Sequence, residues 1–251
     1  MNGQMEPPLD LKTPRGIGEL LTTAIVLFLR HSGLFLSVTL LVVAPVVVLV
    51  DGAWGGALHD GPNAHPSSAA SLVSAMFVAF VVPALVTGLH AVIVREMGEG
   101  HVPGVGEALR RVGPRIPAAM GAVVLYSIGV GIGFILLVVP GIWLLVRWYF
   151  AAQSAVLNGT GPQQSLEASA ELVKGRWWTT LLALIAAGVT FGVVGALCRL
   201  AAGTVDDGVL YVTLLTVIQA VTLSLSALFG TLLFFTMRAE RGALDLLARS
   251  G

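Results

Sequence analysis

Long apolar runs at about 32–50, 69–94, 116–157, 179–201 and 209–237 leave this chain few ways to fold. A helix needs about 20 mainly apolar residues to cross the hydrocarbon core of a bilayer, and these runs reach that length. The third is about twice too long for one crossing. Pro140-Gly141 divides it with a missing donor and a residue free to take positive φ, which predicts a turn between helices at 116–138 and 142–158. The expected fold is therefore an all-α polytopic membrane protein with six transmembrane helices, at about 32–50, 69–94, 116–138, 142–158, 179–201 and 209–237. They form a single domain over 16–247, behind a disordered cytoplasmic tail at 1–15, which is polar and Pro-rich and has no secretory signal pattern.

Composition supports lipid as the solvent. Hydrophobic residues make up 56% of the 251 and charged residues 11%, with a mean hydropathy of +0.89; a soluble domain carries about 25% charged residues. The formal net charge is zero, which argues against a nucleic-acid partner, since phosphate binding needs a basic excess. The single cysteine, Cys198, excludes an intrachain disulfide and a multi-cysteine metal site, and reads as a small apolar residue.

Orientation follows from the cations, because short cytoplasmic loops collect Lys and Arg. Of the 14 basic residues, all but Arg147 and Arg199 fall on one side of the six-span arrangement. The opposite loops hold 51–68, Pro140-Gly141 and Asp206-Asp207. Both termini are thus expected in the cytoplasm, with the chain multi-pass in the plasma (inner) membrane.

Three segments beside the spans are amphipathic and are expected to lie on the membrane surface. GIGELL (16–21) and GVGEAL (104–109) match at Gly, Gly, Glu and Leu. In the second, Val105, Ala108, Leu109 and Val112 form one face, and Glu107, Arg110, Arg111 and Arg115 the other. The third, 161–178, places Leu166, Ala170, Val173 and Trp177 at helical spacing, with Glu167, Glu171 and Lys174 on another face. An internal pseudo-repeat of surface helix, span and return span accounts for the pattern. Alternatively, the first surface helix and first span are one tilted helix interrupted at Arg30-His31-Ser32-Gly33.

The stretch VRWYFAAQSAVLNGTGPQQSLEASAELVKGRWW (146–178) resembles the membrane domain of the glycerophosphoryl diester phosphodiesterase family. The resemblance rests on an Arg-bearing helix, then Gly-Pro, then the signature read at Ser169, Leu172, Val173, Gly175, Arg176 and Trp178. RGIGELL at the start and MRAERGALDLL at the end are similar to the family's terminal motifs. In fused members the resemblance implies a separate soluble barrel that supplies the diesterase residues. This sequence ends at Gly251, without room for one, so a stand-alone, non-catalytic module is expected, with no cofactor.

Arg147 is the candidate site residue. In a straight fourth span it lies roughly 10 Å into an approximately 30 Å hydrocarbon layer, where an arginine costs about 2.5–3.5 kcal/mol. Its helix face continues through Ala151, Ser154 and Asn158, a small and polar stripe pointing into the bundle. Candidate partners are Asp51, Asp206, Asp207, helix-end carbonyls or a lipid phosphate, which leaves an interhelical clamp and a ligand contact both open. Arg110, Arg111, Lys174, Gly175, Arg176 and Trp178 are the candidate lipid-facing or family-motif residues, and Arg238, Glu240 and Arg241 anchor the last helix. His59, Asp60 and His65 carry donors a metal can use, but a loop this rich in Gly and Pro predicts no metal site. His90 reads as an interfacial residue.

Gly129/Gly133, Gly188/Gly192 and Ser226/Gly230 have the spacing that permits close helix contact, and Pro45 and Pro83 predict kinks. No HExxH, GxSxG or facing aspartate pair supports an intramembrane hydrolase. The expected function is a lipid- or envelope-associated membrane module, with membrane lipids and a homo-oligomer or another membrane protein as partners. The alternative is a small-solute or lipid transporter or channel, suggested by broken helices, an intramembrane arginine and a pseudo-repeat.

Overall fold

The computed structural model describes residues 9–54 and 69–250. Among them it is all α, with no strand. The helices are α1 (Ile17–Arg30), α2 (Ser32–Trp54), α3 (Ala69–Gly98), α4 (Val105–Val112), α5 (Ile116–Leu136), α6 (Val138–Arg147), α7 (Ala151–Asn158), α8 (Pro162–Val173), α9 (Trp177–Ala202) and α10 (Gly208–Ser250). A 3₁₀ turn, Gly113–Arg115, joins α4 to α5. By length and composition three segments among the described residues can cross a membrane: Val105–Leu136, Trp177–Ala202 and Gly208–Ala243. A fourth is added if α1 and α2, bent by 90° at His31, count as one.

This is fewer than the six crossings expected from the apolar runs, and the run at 142–158 accounts for one difference. It is two helices, α6 and α7, separated at Trp148, Tyr149 and Phe150. With 10 and 8 residues they rise about 15 and 12 Å, and neither spans about 30 Å of hydrocarbon. The turn that precedes them is also displaced. Leu137 is extended at φ −166°, ψ 153°, and Pro140 lies in the first turn of α6, where its missing N–H would be unused anyway. Gly141 instead serves close packing. A Cβ at Gly133 on α5 would lie 2.9 Å from the Gly141 Cα, and one at Gly141 would lie 2.6 Å from the Phe134 ring.

The bend at His31 favours a separate α1 over a tilted continuation of it. One face of α1 buries Leu20, Ala24, Leu27 and Phe28 against the bundle. The segment before it is tethered rather than free over its described part: the Leu9 N–H donates to the Met97 carbonyl at 3.2 Å, and Leu9 and Leu11 pack on the core. α4 buries Ala108 and Val112, as its periodicity predicts. Pro45 and Pro83 lie inside α2 and α3, which run through them.

One apolar core draws residues from all ten helices, including Phe35, Ile93, Phe150, Leu172, Phe191 and Phe229. α10 packs along α1, α2, α3 and α9, and α7 is enclosed by α3, α5 and α8. All residues of α7 from Ala151 to Leu157 are buried. The outer face of α9 is apolar and uncovered, with Leu182, Ile185, Val189, Val193, Leu197 and Leu200 each more than half exposed. Gly188 and Gly192 lie open on the same helix, with nothing within 4 Å of an added Cβ. By contrast Gly129 receives the Trp148 ring, and an added Cβ at Gly230 would lie 2.8 Å from the Tyr149 hydroxyl. Three identical small-residue spacings thus have two filled outcomes and one open one.

Candidate functional site

The break between α6 and α7 leaves backbone groups without helical partners inside a packed interior. Ser169 on α8 supplies them. Its hydroxyl donates to the Arg147 carbonyl at 3.0 Å and accepts from the Phe150 N–H at 3.1 Å, and the side chain is fully buried. The α8 face that does this is centred on Ser165, Ser169 and Leu172, with Leu166 only half-buried. The role of Ser169 depends on a contact 22 residues distant, which no local pattern announces.

Arg147 ends α6, where a cation meets the negative end of the helix dipole. Its guanidinium lies over the Trp143 ring, 4.8 Å from the centroid. Among the described residues it has no ion pair within 4.0 Å. Two depressions flank it. One, of about 260 Å³, is lined by Trp143, Glu171, Lys174, Gly175 and Trp177 among others. The other, of about 700 Å³, is lined by Trp148, Gln163, Leu166, Glu167 and Glu171 with Arg147 itself. The Trp177 indole N–H donates to the Trp143 carbonyl at 3.3 Å, which fixes the start of α9 against α6. Gly175, at φ +79°, makes the tight reversal after α8 that brings Lys174 and Trp177 to one cleft.

Of the aspartates expected as partners for Arg147, Asp206 and Asp207 do not pair with it. Asp207 caps α10 by accepting from the Leu210 N–H at 2.7 Å, and Asp206 precedes it. Both follow α9, whose 26 residues carry the chain about 39 Å from Trp177 beside the arginine. The Asp51 side chain lies outside the described residues, as do His59, Asp60 and His65. The polar stripe is also interrupted, because the non-helical turn at 148–150 breaks the register between Arg147 and Ala151. Ser154 is buried, whereas Asn158 is exposed and accepts from Arg238 at 3.4 Å. The expected inward-facing row of Arg147, Ala151, Ser154 and Asn158 does not form.

The remaining motif residues separate into fastened and open ones. Arg176 pairs with Glu240 and ties the α8–α9 turn to α10. Lys174 pairs with Glu171 at 3.4 Å, and Arg241 approaches the same carboxylate at 3.9 Å. Trp178 is 72% exposed, and Arg110 is exposed. Arg111 is exposed too, but its guanidinium is engaged by two carboxylates. Its Nη1 is 2.7 Å from Glu96 Oε1 and its Nη2 is 2.8 Å from Glu107 Oε1. Glu96, His101 and Glu107 carry donor atoms within 4.8 Å of one another, a cluster unmarked in the sequence because it joins α3, a loop and α4. Arg111 already supplies positive charge to two of its three members. His90 is buried, not interfacial: it stacks on Phe35 at 5.1 Å, and its Nδ1 meets the Val86 carbonyl at 2.8 Å.

A family model described as a domain of unknown function (DUF7847) matches residues 102–240, a span that includes α4 to α9 and the whole Arg147 cleft. No curated protein and no solved structure matches the chain.

Proposed function

The chain belongs to the family described as a domain of unknown function (DUF7847), so its role has to be argued from its own residues, and we propose that it is a non-catalytic membrane module that holds phosphate-bearing lipid headgroups in the Arg147 cleft. The observation that carries this reading is a guanidinium stacked on Trp143, without a carboxylate in ion-pair reach among the described residues, opening into a cleft it shares with Lys174 and Trp177. Arginine suits such a site because its planar fork meets a phosphate with two parallel hydrogen bonds. Tryptophans with one apolar and one polar edge favour headgroup depth. The resemblance of 146–178 to the glycerophosphodiesterase membrane domain agrees with a lipid-associated role.

The accompanying topology is six segments in the plasma membrane, with α6–α7 a broken crossing, both termini cytoplasmic, and α1, α4 and α8 at the inner surface. The distribution of Lys and Arg supports that orientation. Native mass spectrometry of the purified full chain, with its co-purifying phospholipid, tests the proposal. Wild type should retain phospholipid, Arg147→Leu should lose most of it, and Arg147→Lys should keep part of it. An empty wild type, or lipid retention unaffected by both Arg147→Leu and Lys174→Ala, sinks the reading. Solute transport is the second reading, favoured by the interrupted α6–α7 segment, since broken helices frame substrate sites in transporters.

A further inference from the structure

The larger of the two depressions beside Arg147, of about 700 Å³, carries both signs of charge. α8 contributes Gln163, Glu167 and Glu171 to it, each one helical turn from the next, and Arg147 enters from the end of α6. No other charged side chain is among its lining residues. Glu171 is already matched, by Lys174 at 3.4 Å and Arg241 at 3.9 Å. Glu167 is not. It is exposed, and among the described residues it has neither an ion pair within 4.0 Å nor a side-chain hydrogen bond. Arg147, half-buried, has only the Trp143 ring. One unpaired cation and one unpaired anion thus line the same depression without reaching each other.

Their separation is held by the fold. The Ser169 hydroxyl on α8 donates to the Arg147 carbonyl at 3.0 Å and accepts from the Phe150 N–H at 3.1 Å, so α8 cannot slide along the end of α6. A molecule that completes both charges at once must itself be a zwitterion. With a phosphate on Arg147, the reading on which this inference rests, the other end of the same headgroup falls to Glu167. A primary ammonium has three donors, enough for a charge-assisted bond to the Glu167 carboxylate and another to the Gln163 side-chain oxygen. An uncharged glycerol headgroup leaves Glu167 without a countercharge and adds the phosphate's negative charge near it. We propose that the Arg147 site selects phospholipids with a primary-amine headgroup, holding the phosphate on Arg147 and the ammonium on Glu167.

The test uses the full chain in nanodiscs holding equal amounts of phosphatidylethanolamine and phosphatidylglycerol with the same acyl chains, and native mass spectrometry reads the lipid released with it. Wild type should carry phosphatidylethanolamine over phosphatidylglycerol by roughly threefold, as one exposed charge pair allows. Glu167→Gln should return the ratio to that of the disc while phospholipid stays bound, and Glu167→Lys should invert it. Position 167 is exposed, so neither change disturbs the core. In discs where phosphatidylcholine replaces phosphatidylglycerol, phosphatidylethanolamine should still be preferred, because trimethylation removes the donors. Phospholipid bound at the disc ratio, phosphatidylglycerol in excess, phosphatidylcholine taken up equally well, or a preference that survives both Glu167 changes overturns the headgroup assignment and leaves the Arg147 phosphate contact standing. A wild type that carries no phospholipid overturns both.

Discussion

Replacing Ser169 with alanine deletes one oxygen and two hydrogen bonds, and it does so where the chain abandons helical geometry between α6 and α7. The Arg147 carbonyl and the Phe150 N–H are both left without the partner they have now, at 3.0 and 3.1 Å, in a site with no water-accessible surface on the serine. Hydrogen bonds within membrane helix bundles are worth about 0.6 kcal/mol on average and about 1.7 at most, so losing two should cost about 1–3 kcal/mol. Ser165→Ala is the matched control. Its hydroxyl donates to Gly161 at 2.8 Å and meets the Thr160 hydroxyl at 2.9 Å, contacts confined to its own helix and the adjoining turn. Reversible unfolding of both variants in bicelles measures the difference. If Ser169→Ala lies within about 0.3 kcal/mol of wild type, or costs no more than Ser165→Ala, the serine does not hold the break and the reasoning fails.

Gly133→Ala places a methyl 2.9 Å from the Gly141 Cα and should cost about 1–3 kcal/mol of overpacking, whereas Gly188→Ala meets open space and should be neutral or stabilising by up to about 1 kcal/mol; the same unfolding assay separates them. Glu96→Gln leaves Arg111 beside a neutral partner at the bottom of the α3–α4 contact. Because Arg111 is 44% exposed, the expected loss is about 1–2 kcal/mol, below the range for a fully buried pair. A double-mutant cycle with Arg111→Gln should show the two changes coupled. Arg115→Met removes the 2.7 Å bond to the Val156 carbonyl near the end of α7, and hydrogen exchange should report faster opening of 155–159 with α9 unchanged.

Where the chain's structure is set by local composition, it was legible. The expected helix at 179–201 appears as Trp177–Ala202, and the apolar face expected of α4 is the one it buries. The interruption at 148–150 was not legible, because Arg147-Trp148-Tyr149-Phe150 continues an apolar run and Ser169, which satisfies the opened backbone, is remote in sequence. A straight fourth span would carry Arg147 toward Asp206 and Asp207 at the far ends of the neighbouring helices. Once α6 stops at that residue, its neighbours are the indole of Trp143, the last turn of α8 and the start of α9. Small-residue spacing likewise marks where helices can approach, while the bulk presented opposite decides whether they do: Trp148 fills the notch at Gly129, and nothing fills those at Gly188 and Gly192.

The uncovered apolar face of α9 also acts as a ruler. From Leu182 to Leu200 it extends about 27 Å along the helix axis, close to the approximately 30 Å of a typical hydrocarbon core, with Trp178 exposed just before it begins. In a bilayer of that thickness α9 can stand almost upright. In a markedly thinner one it must tilt or draw lipid up around itself, at fractions of a kcal/mol per ångström. Because the Trp177 indole holds the base of α9 to α6 at Trp143, the load of such a tilt would fall on that one hydrogen bond at the wall of the Arg147 cleft.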